Sequence, residues 1–277
     1  MGRPRIALDE TKIQKLIKEG RGQNEGAAYE PLLTVRDVPS RGFSTRDKGW
    51  KTNRIHHVLS NHELSYVYVA EWSKIVVDIR EQYPLLPLES TLIIAEACGL
   101  KHPVHPTTKK PVVLTTDFLI TVEREGQRIE LARTIKPFAA LASDRVLEKF
   151  EIERLYWKTL STDWGIVTEH EIPLALANNV DRIHDRYHRE NLELSIGDIC
   201  DIASILTKSV QETASVLRHA TRACDRRLGY EPGTSLAVAH HLIARRYWDI
   251  NMYTPINPSE PLVLLGSNLE ELYRDRQ

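Results

Sequence analysis

From Pro111 to Pro137 the chain reads PVVLTTDFLITVEREGQRIELARTIKP, with apolar and polar positions alternating on both sides of Glu125-Gly126. A period of two around a Gly-containing pair predicts two β-branched strands joined by a tight turn. Counting outward from that turn sets Asp117 opposite Thr134, with Lys136 as a diagonal neighbour on the same face. The other face carries Phe118, Ile120, Val122, Ile129, Leu131 and Ile135, a core layer.

The rest of the pattern builds around this hairpin. Residues 9–19 predict a short amphipathic helix closed by Gly20 and Gly22. Residues 60–72 predict a second helix, in which Ser60 and Glu63 have the capping-box form. That gives Glu63 a structural task, although a first-turn carboxylate can also face a neighbouring sheet. Residues 74–86 predict a strand and 90–98 a weak helix. Ser143 caps a helix running to about Leu160, with Val146, Leu147, Phe150, Leu155 and Trp157 on its apolar side. Glu148, Lys149, Glu151, Glu153 and Arg154 form its expected solvated face. Residues 164–168 predict a last buried strand. This order of helix, strand, hairpin, helix and strand is an α/β layered domain over residues 1–169.

Beyond residue 170 the pattern becomes helical, with segments at 173–190, 195–208, 210–228 and 236–246. A Pro-rich turn and an apolar run at 262–265 follow. A helix leading into a two-stranded hairpin is winged-helix-like, so residues 170–277 are expected to form a mainly α domain of that kind. His240, His241, Arg245 and Arg246 are either a DNA-contacting face or the exposed side of the last helix. A winged helix also serves as a protein-docking module, which the acidic balance of this half favours.

Composition adds limits. The chain has 277 residues, 42% hydrophobic and 27% charged, with net charge −1, which excludes a uniformly basic DNA coat. The average hides a gradient: residues 1–54 hold 12 Lys/Arg against 7 Asp/Glu, and residues 170–277 hold 12 against 15. Arg41, Arg46, Lys48, Lys51 and Arg54 lie among Phe43 and Trp50, a mixture that either tracks a phosphate backbone or forms an irregular loop on the domain. Cys98, Cys200 and Cys224 are too widely spaced for a CxxC metal site and suggest reduced thiols. His102 and His105 lack the further ligands a zinc site needs. With neither an 18-residue apolar run nor a signal-peptide pattern, a cytoplasmic protein without a membrane span is expected.

An acid on one strand, a lysine on the next and an upstream helical glutamate suit metal-dependent phosphodiester hydrolysis. Carboxylates hold Mg²⁺, a hard ion that takes oxygen ligands. A nearby lysine orients the attacking water or stabilises developing negative charge.

Several stretches sharpen this reading: KEGRGQ (18–23), LTVRDVPS (33–40), HHVLSNHEL (56–64), DIREQYPLLP (78–87), KHPV (101–104), TDFL (116–119), IKP (135–137) and LEKFEIERLYW (147–157). In that order they resemble the TnsA family, endonuclease subunits of the heteromeric transposases of Tn-seven-like transposons. The resemblance implies a restriction-endonuclease-like N-terminal domain, a mixed sheet flanked by helices, with catalytic residues at Glu63, Asp117 and Lys136. It implies two Mg²⁺ ions, replaceable by Mn²⁺, held by Glu63, Asp117, position 134 and the Ile135 carbonyl. The family commonly has Gln two residues before the lysine; here Thr134 stands there. The implied activity is cleavage of the non-transferred strand at the 5′ ends of the transposon. The implied partners are transposon-end DNA, a TnsB-like transposase subunit, and a TnsC-like AAA+ regulator contacting the C-terminal domain, with the protein at the bacterial nucleoid when acting. The rival reading, motivated by Thr134, is a non-catalytic DNA- or protein-binding adaptor on a degenerate nuclease scaffold. A stand-alone restriction-type nuclease is a third.

Overall fold

Seven cross-strand pairs run from Arg124↔Gln127 to Phe118↔Arg133 in the predicted register. They join β4 (Thr115–Arg124) to β5 (Gln127–Ile135). The turn residues Glu125 (φ 51°) and Gly126 (φ 76°) both have positive φ, as a two-residue turn matching strand twist requires. The structure is a computed structural model and describes residues 10–37, 45–213 and 216–274. Arg41 and Phe43 lie outside the described residues.

Preceding the hairpin are α1 (Glu10–Lys18), β1 (Thr45–Lys48), β2 (Ile55–Val58), α2 (Asn61–Trp72), β3 (Val76–Pro84) and α3 (Leu88–Ala97). After it come α4 (Asp144–Thr159) and β6 (Asp163–Val167). The central sheet has the order β3-β4-β5-β6, antiparallel except for the parallel β5–β6 pair. It is therefore a mixed sheet flanked by helices. On one face Leu119 and Ala132 pack with Ile152, Tyr156 and Trp157 of α4 and Ala95 of α3. On the other, Phe118 meets Tyr66 of α2 with ring centroids 5.5 Å apart.

Some expectations change. Both sheet faces are covered, so Leu119, Ala132 and Thr134 are as buried as Phe118 and Ile120, whereas Ile129, near the turn, is 41% exposed. β6 is an edge strand in which Val167 alone is fully buried. Residues 45–58 form the β1–β2 hairpin; their strongly polar sequence carries no apolar alternation to announce it. Arg54 leaves the proposed phosphate-tracking set. Its guanidinium grips the fully buried Glu81 carboxylate at 2.6 and 2.8 Å. His56 Nδ1 (2.9 Å) and the His57 N–H (2.9 Å) complete the set, and these contacts hold Glu81 well below the usual carboxylate range despite its burial.

Contacts divide the chain into two units, Met1–Ile172 and Pro173–Gln277. The second contains α5 (Leu174–Ile183), α6 (Ile196–Thr213), α7 (Leu217–Leu228), α8 (Thr234–Ala244) and α9 (Leu269–Arg274). A ladder of two pairs joins β7 (Trp248–Asp249) to β8 (Gly266–Ser267). The apolar run at 262–265 lies before that ladder, with Val263 and Leu265 exposed. α6 extends past residue 208, the expected end of that helix, so α7 begins only at Leu217. α8 is a central helix packed by α5, α6 and α7. His241 on α8 is buried, with Nδ1 2.6 Å from the Arg186 carbonyl oxygen. Burial pushes its neighbour His240 down to about 4. The Arg245 guanidinium lies over the Tyr187 ring at 4.8 Å. Neither histidine is on an open DNA-contacting face. Among the described residues no helix is long and apolar enough to cross a membrane.

Candidate active site at the splayed end of the hairpin

The paired register of β4 and β5 ends at Phe118↔Arg133, short of the Asp117–Thr134 pair that simple counting continues. Here the Asp117 carboxylate takes the role of a backbone partner: Oδ2 accepts the Ile135 N–H at 2.7 Å. Its Oδ1 lies 3.4 Å from the Gln82 side-chain amide nitrogen on β3. Asp117 is thus clamped between β3 and β5, at the point where the hairpin opens.

Glu63 reaches the same place from α2. Ser60 is the N-cap, and its hydroxyl oxygen accepts the Glu63 N–H at 3.2 Å. The Glu63 carboxylate accepts the Ser60 hydroxyl at 2.9 Å and the Leu59 N–H at 2.9 Å. The cap thereby fixes the carboxylate while leaving it only 7% exposed. Its pKa is pushed up to about 7, first by burial and next by the negative charge of Asp117. Leu59, Ser60 and Lys136 oppose that rise. Asp117 is likewise raised, by burial, against the Ile135 N–H and the Lys136 charge. Glu63, Asp117 and Lys136 therefore lie within electrostatic reach of one another. The two desolvated carboxylates, with the Lys136 and Lys149 ammonium groups within electrostatic reach of Asp117, form a pair of oxygen ligands of the kind a hard divalent cation takes.

Thr134 is differently placed. Its hydroxyl donates to Glu153 of α4, on the face where Ala132 meets the helical core. Glu153 Oε1 also accepts the Thr116 hydroxyl at 2.7 Å and the Trp164 indole N–H at 3.0 Å. Glu153 is 6% exposed, so it is not part of the solvated face expected for α4. Burial pushes it up to about 7, and Asp117 adds to the rise. Lys149 also feels Lys136, Glu153 and Asp117, and is held below the usual lysine range by desolvation and by Lys136.

Sequence reasoning missed Gln82 and Glu153. Gln82 is buried with φ 49°, a left-handed conformation inside a strand that side chains other than Gly adopt at a cost. No apolar alternation signals such a position. Glu153 does have a faint signal: it lies three residues from Phe150 and four from Trp157, on the buried side of a 3.6-residue repeat.

Two family matches cover most of the chain: TnsA-like endonuclease N terminal over residues 73–169, and TnsA endonuclease C terminal over residues 171–252. A similar protein is the Transposon Tn7 transposition protein TnsA of Escherichia coli, 34% identical over 275 residues, covering 98% of both chains. Agreement of that extent, across both units of the chain, shows that the chain belongs to the TnsA endonuclease family.

Proposed function

We propose that the chain is the Mg²⁺-dependent endonuclease subunit of a heteromeric transposase, and that it cuts the non-transferred strand at the 5′ ends of its transposon. The observation that carries this reading is the mutual approach of Glu63, Asp117 and Lys136 at the splayed hairpin, with both carboxylates raised by burial. Glu63, Asp117 and the Ile135 carbonyl would hold the metal; the Thr134 hydroxyl is committed to Glu153. The chemistry that a divalent cation bound by these groups would supply is charge neutralisation and a lowered pKa of bound water.

The chain's own groups do the rest. Lys136 brings an ammonium to the phosphate oxygens and orients the attacking water. The Ile135 N–H and the Gln82 amide keep Asp117 aimed at the site, and the α2 cap does so for Glu63. Leaving-group departure is aided by the positive charges gathered there.

The winged-helix-like reading of the second unit rests on α8 being followed by the short β7–β8 ladder. In this proposal that unit engages a TnsC-like AAA+ regulator, a TnsB-like subunit cuts and joins the 3′ ends, and the protein acts in the cytoplasm on nucleoid DNA. The test is calorimetric titration with Mg²⁺ and Mn²⁺. Binding by the wild type that Asp117→Ala abolishes supports a nuclease. Equal behaviour of the two proteins supports the adaptor reading.

A further inference from the structure

The charged run of α4 predicts a solvated Lys149, but the topology carries that residue to the active site. β5 and β6 are parallel neighbours, so α4, which connects them, runs back along the sheet against the direction of β5. One point of the helix is pinned to the strands: the Glu153 carboxylate accepts the Thr134 hydroxyl from β5 and the Thr116 hydroxyl from β4. Lys149 lies one turn, about 6 Å, before Glu153 on the same helical face. Since the helix opposes β5, that step leads towards the end of the strand. The step from Thr134 to Lys136 covers about 6.6 Å the same way and returns to the same strand face. The Lys136 N–H still donates to the Val167 carbonyl at 3.0 Å, so strand geometry continues through it. Lys149 thus comes abreast of Lys136 at the splayed end of the hairpin. The electrostatic influence of Lys136, Asp117 and Glu153 on Lys149 agrees with that placement.

The bland account is a surface lysine paired along its own helix. The neighbouring acids are engaged elsewhere. Glu148 pairs with Arg145 at 2.6 Å, Glu151 pairs with Arg154 at 2.7 Å, and Glu153 faces the sheet. Among the described residues no carboxylate forms an ion pair with Lys149, so neutralising Asp117 or Glu153 is not its task either. Its side chain is exposed, yet desolvation is the largest influence on it, a combination expected of an ammonium that meets solvent from within a recess. Two ammonium groups in one recess repel each other, and an anion between them removes that cost. One phosphate for each ammonium is the favourable arrangement.

We propose that Lys149 is a second phosphate-contacting lysine of the active site, donating to a non-bridging oxygen of a phosphate that flanks the scissile one on the cleaved strand. This inference rests on the endonuclease reading above, in which Lys136 serves the scissile phosphate. Together the two lysines fix the strand on both sides of the reacting bond, which positions it for attack.

The test uses the reconstituted transposase on a transposon-end duplex, in single turnovers with saturating Mg²⁺. Lys149→Ala should slow cutting of the 5′ strand about 10- to 100-fold, the effect of losing one charge-assisted hydrogen bond, and Lys149→Arg should restore part of the rate. A neutral methylphosphonate is then placed at the phosphate on either side of the cut. At one of these positions it should slow the wild type by a similar factor and leave the Lys149→Ala rate unchanged. Calorimetric titration of the full-length chain with Mg²⁺ gives a readout apart from activity. Lys149→Ala should bind the ion at least as tightly as the wild type, because a positive charge near Asp117 has gone. Weaker ion binding together with a lower melting temperature would show a structural prop and overturn the proposal. So would equal sensitivity of the two proteins to the methylphosphonate at both positions. A wild type that leaves the 5′ strand uncut would overturn the nuclease reading; a wild type and a Lys149→Ala variant that cut equally well would overturn this inference alone.

Discussion

Replacing Glu63 by Gln removes one buried charge and keeps a side chain that still fits the third position of the helix cap. In the folded protein burial pushes the Glu63 carboxyl up to about 7, from an ordinary value of 4.5. Because the folded value is the higher one, the native state binds more protons than the unfolded state between those pH values, and stability falls as pH rises through the window. At 1.36 kcal/mol per unit, the charged carboxylate weakens the fold by about 3 kcal/mol at pH 8 and by almost nothing at pH 4.5. Glu63→Gln is therefore expected to be more stable than the wild type by up to about 3 kcal/mol at pH 8, the difference closing towards pH 5. Urea denaturation in EDTA at pH 5, 6, 7 and 8 measures it. The wild-type-minus-variant difference isolates Glu63 from Glu153, which titrates in the same range. A difference that does not change with pH, or a variant weaker at pH 8, would refute the electrostatic account of the site.

Other perturbations probe neighbouring groups. Gln82→Gly removes the amide facing Asp117 and relieves a left-handed backbone; stability should stay within about 1 kcal/mol of wild type. Mg²⁺ affinity should fall nonetheless, and calorimetry giving unchanged affinity would assign Gln82 no positioning role. Glu81→Ala strands the buried Arg54 guanidinium and should destabilise by about 3–5 kcal/mol in denaturant melts. The double variant Arg54→Met with Glu81→Leu should recover much of that loss, and failure to recover would point to packing rather than charge.

The sequence was most legible where local chemistry and tertiary structure agree. Period-two alternation and the Glu125-Gly126 turn located the central hairpin and its register, and Ser60 with Glu63 located the start of α2. Legibility ended where side chains replace backbone partners. Strict alternation carries the pairing on to Asp117 and Thr134, but Asp117 folds onto the Ile135 N–H and Thr134 turns to Glu153, so the two hydroxyl and carboxylate groups serve different neighbours. The β1–β2 hairpin was hidden because its inner positions are polar: His56, Arg54 and Glu81 satisfy one another across long sequence separations that no local pattern encodes. In the second unit, the doubled histidine and doubled arginine drew attention to α8. Ala and Val at 237–239 mark it instead as a core helix, whereas the arginines spaced by four belong to the truly amphipathic α7.

The most direct measurement is strand-specific cleavage at transposon ends by the reconstituted transposase carrying Asp117→Ala or Lys136→Ala. Both variants should fold and assemble like the wild type, lose cutting of the 5′ strand and retain joining of the 3′ ends. Wild-type cutting of the 5′ strand by both variants would contradict the assignment of the site.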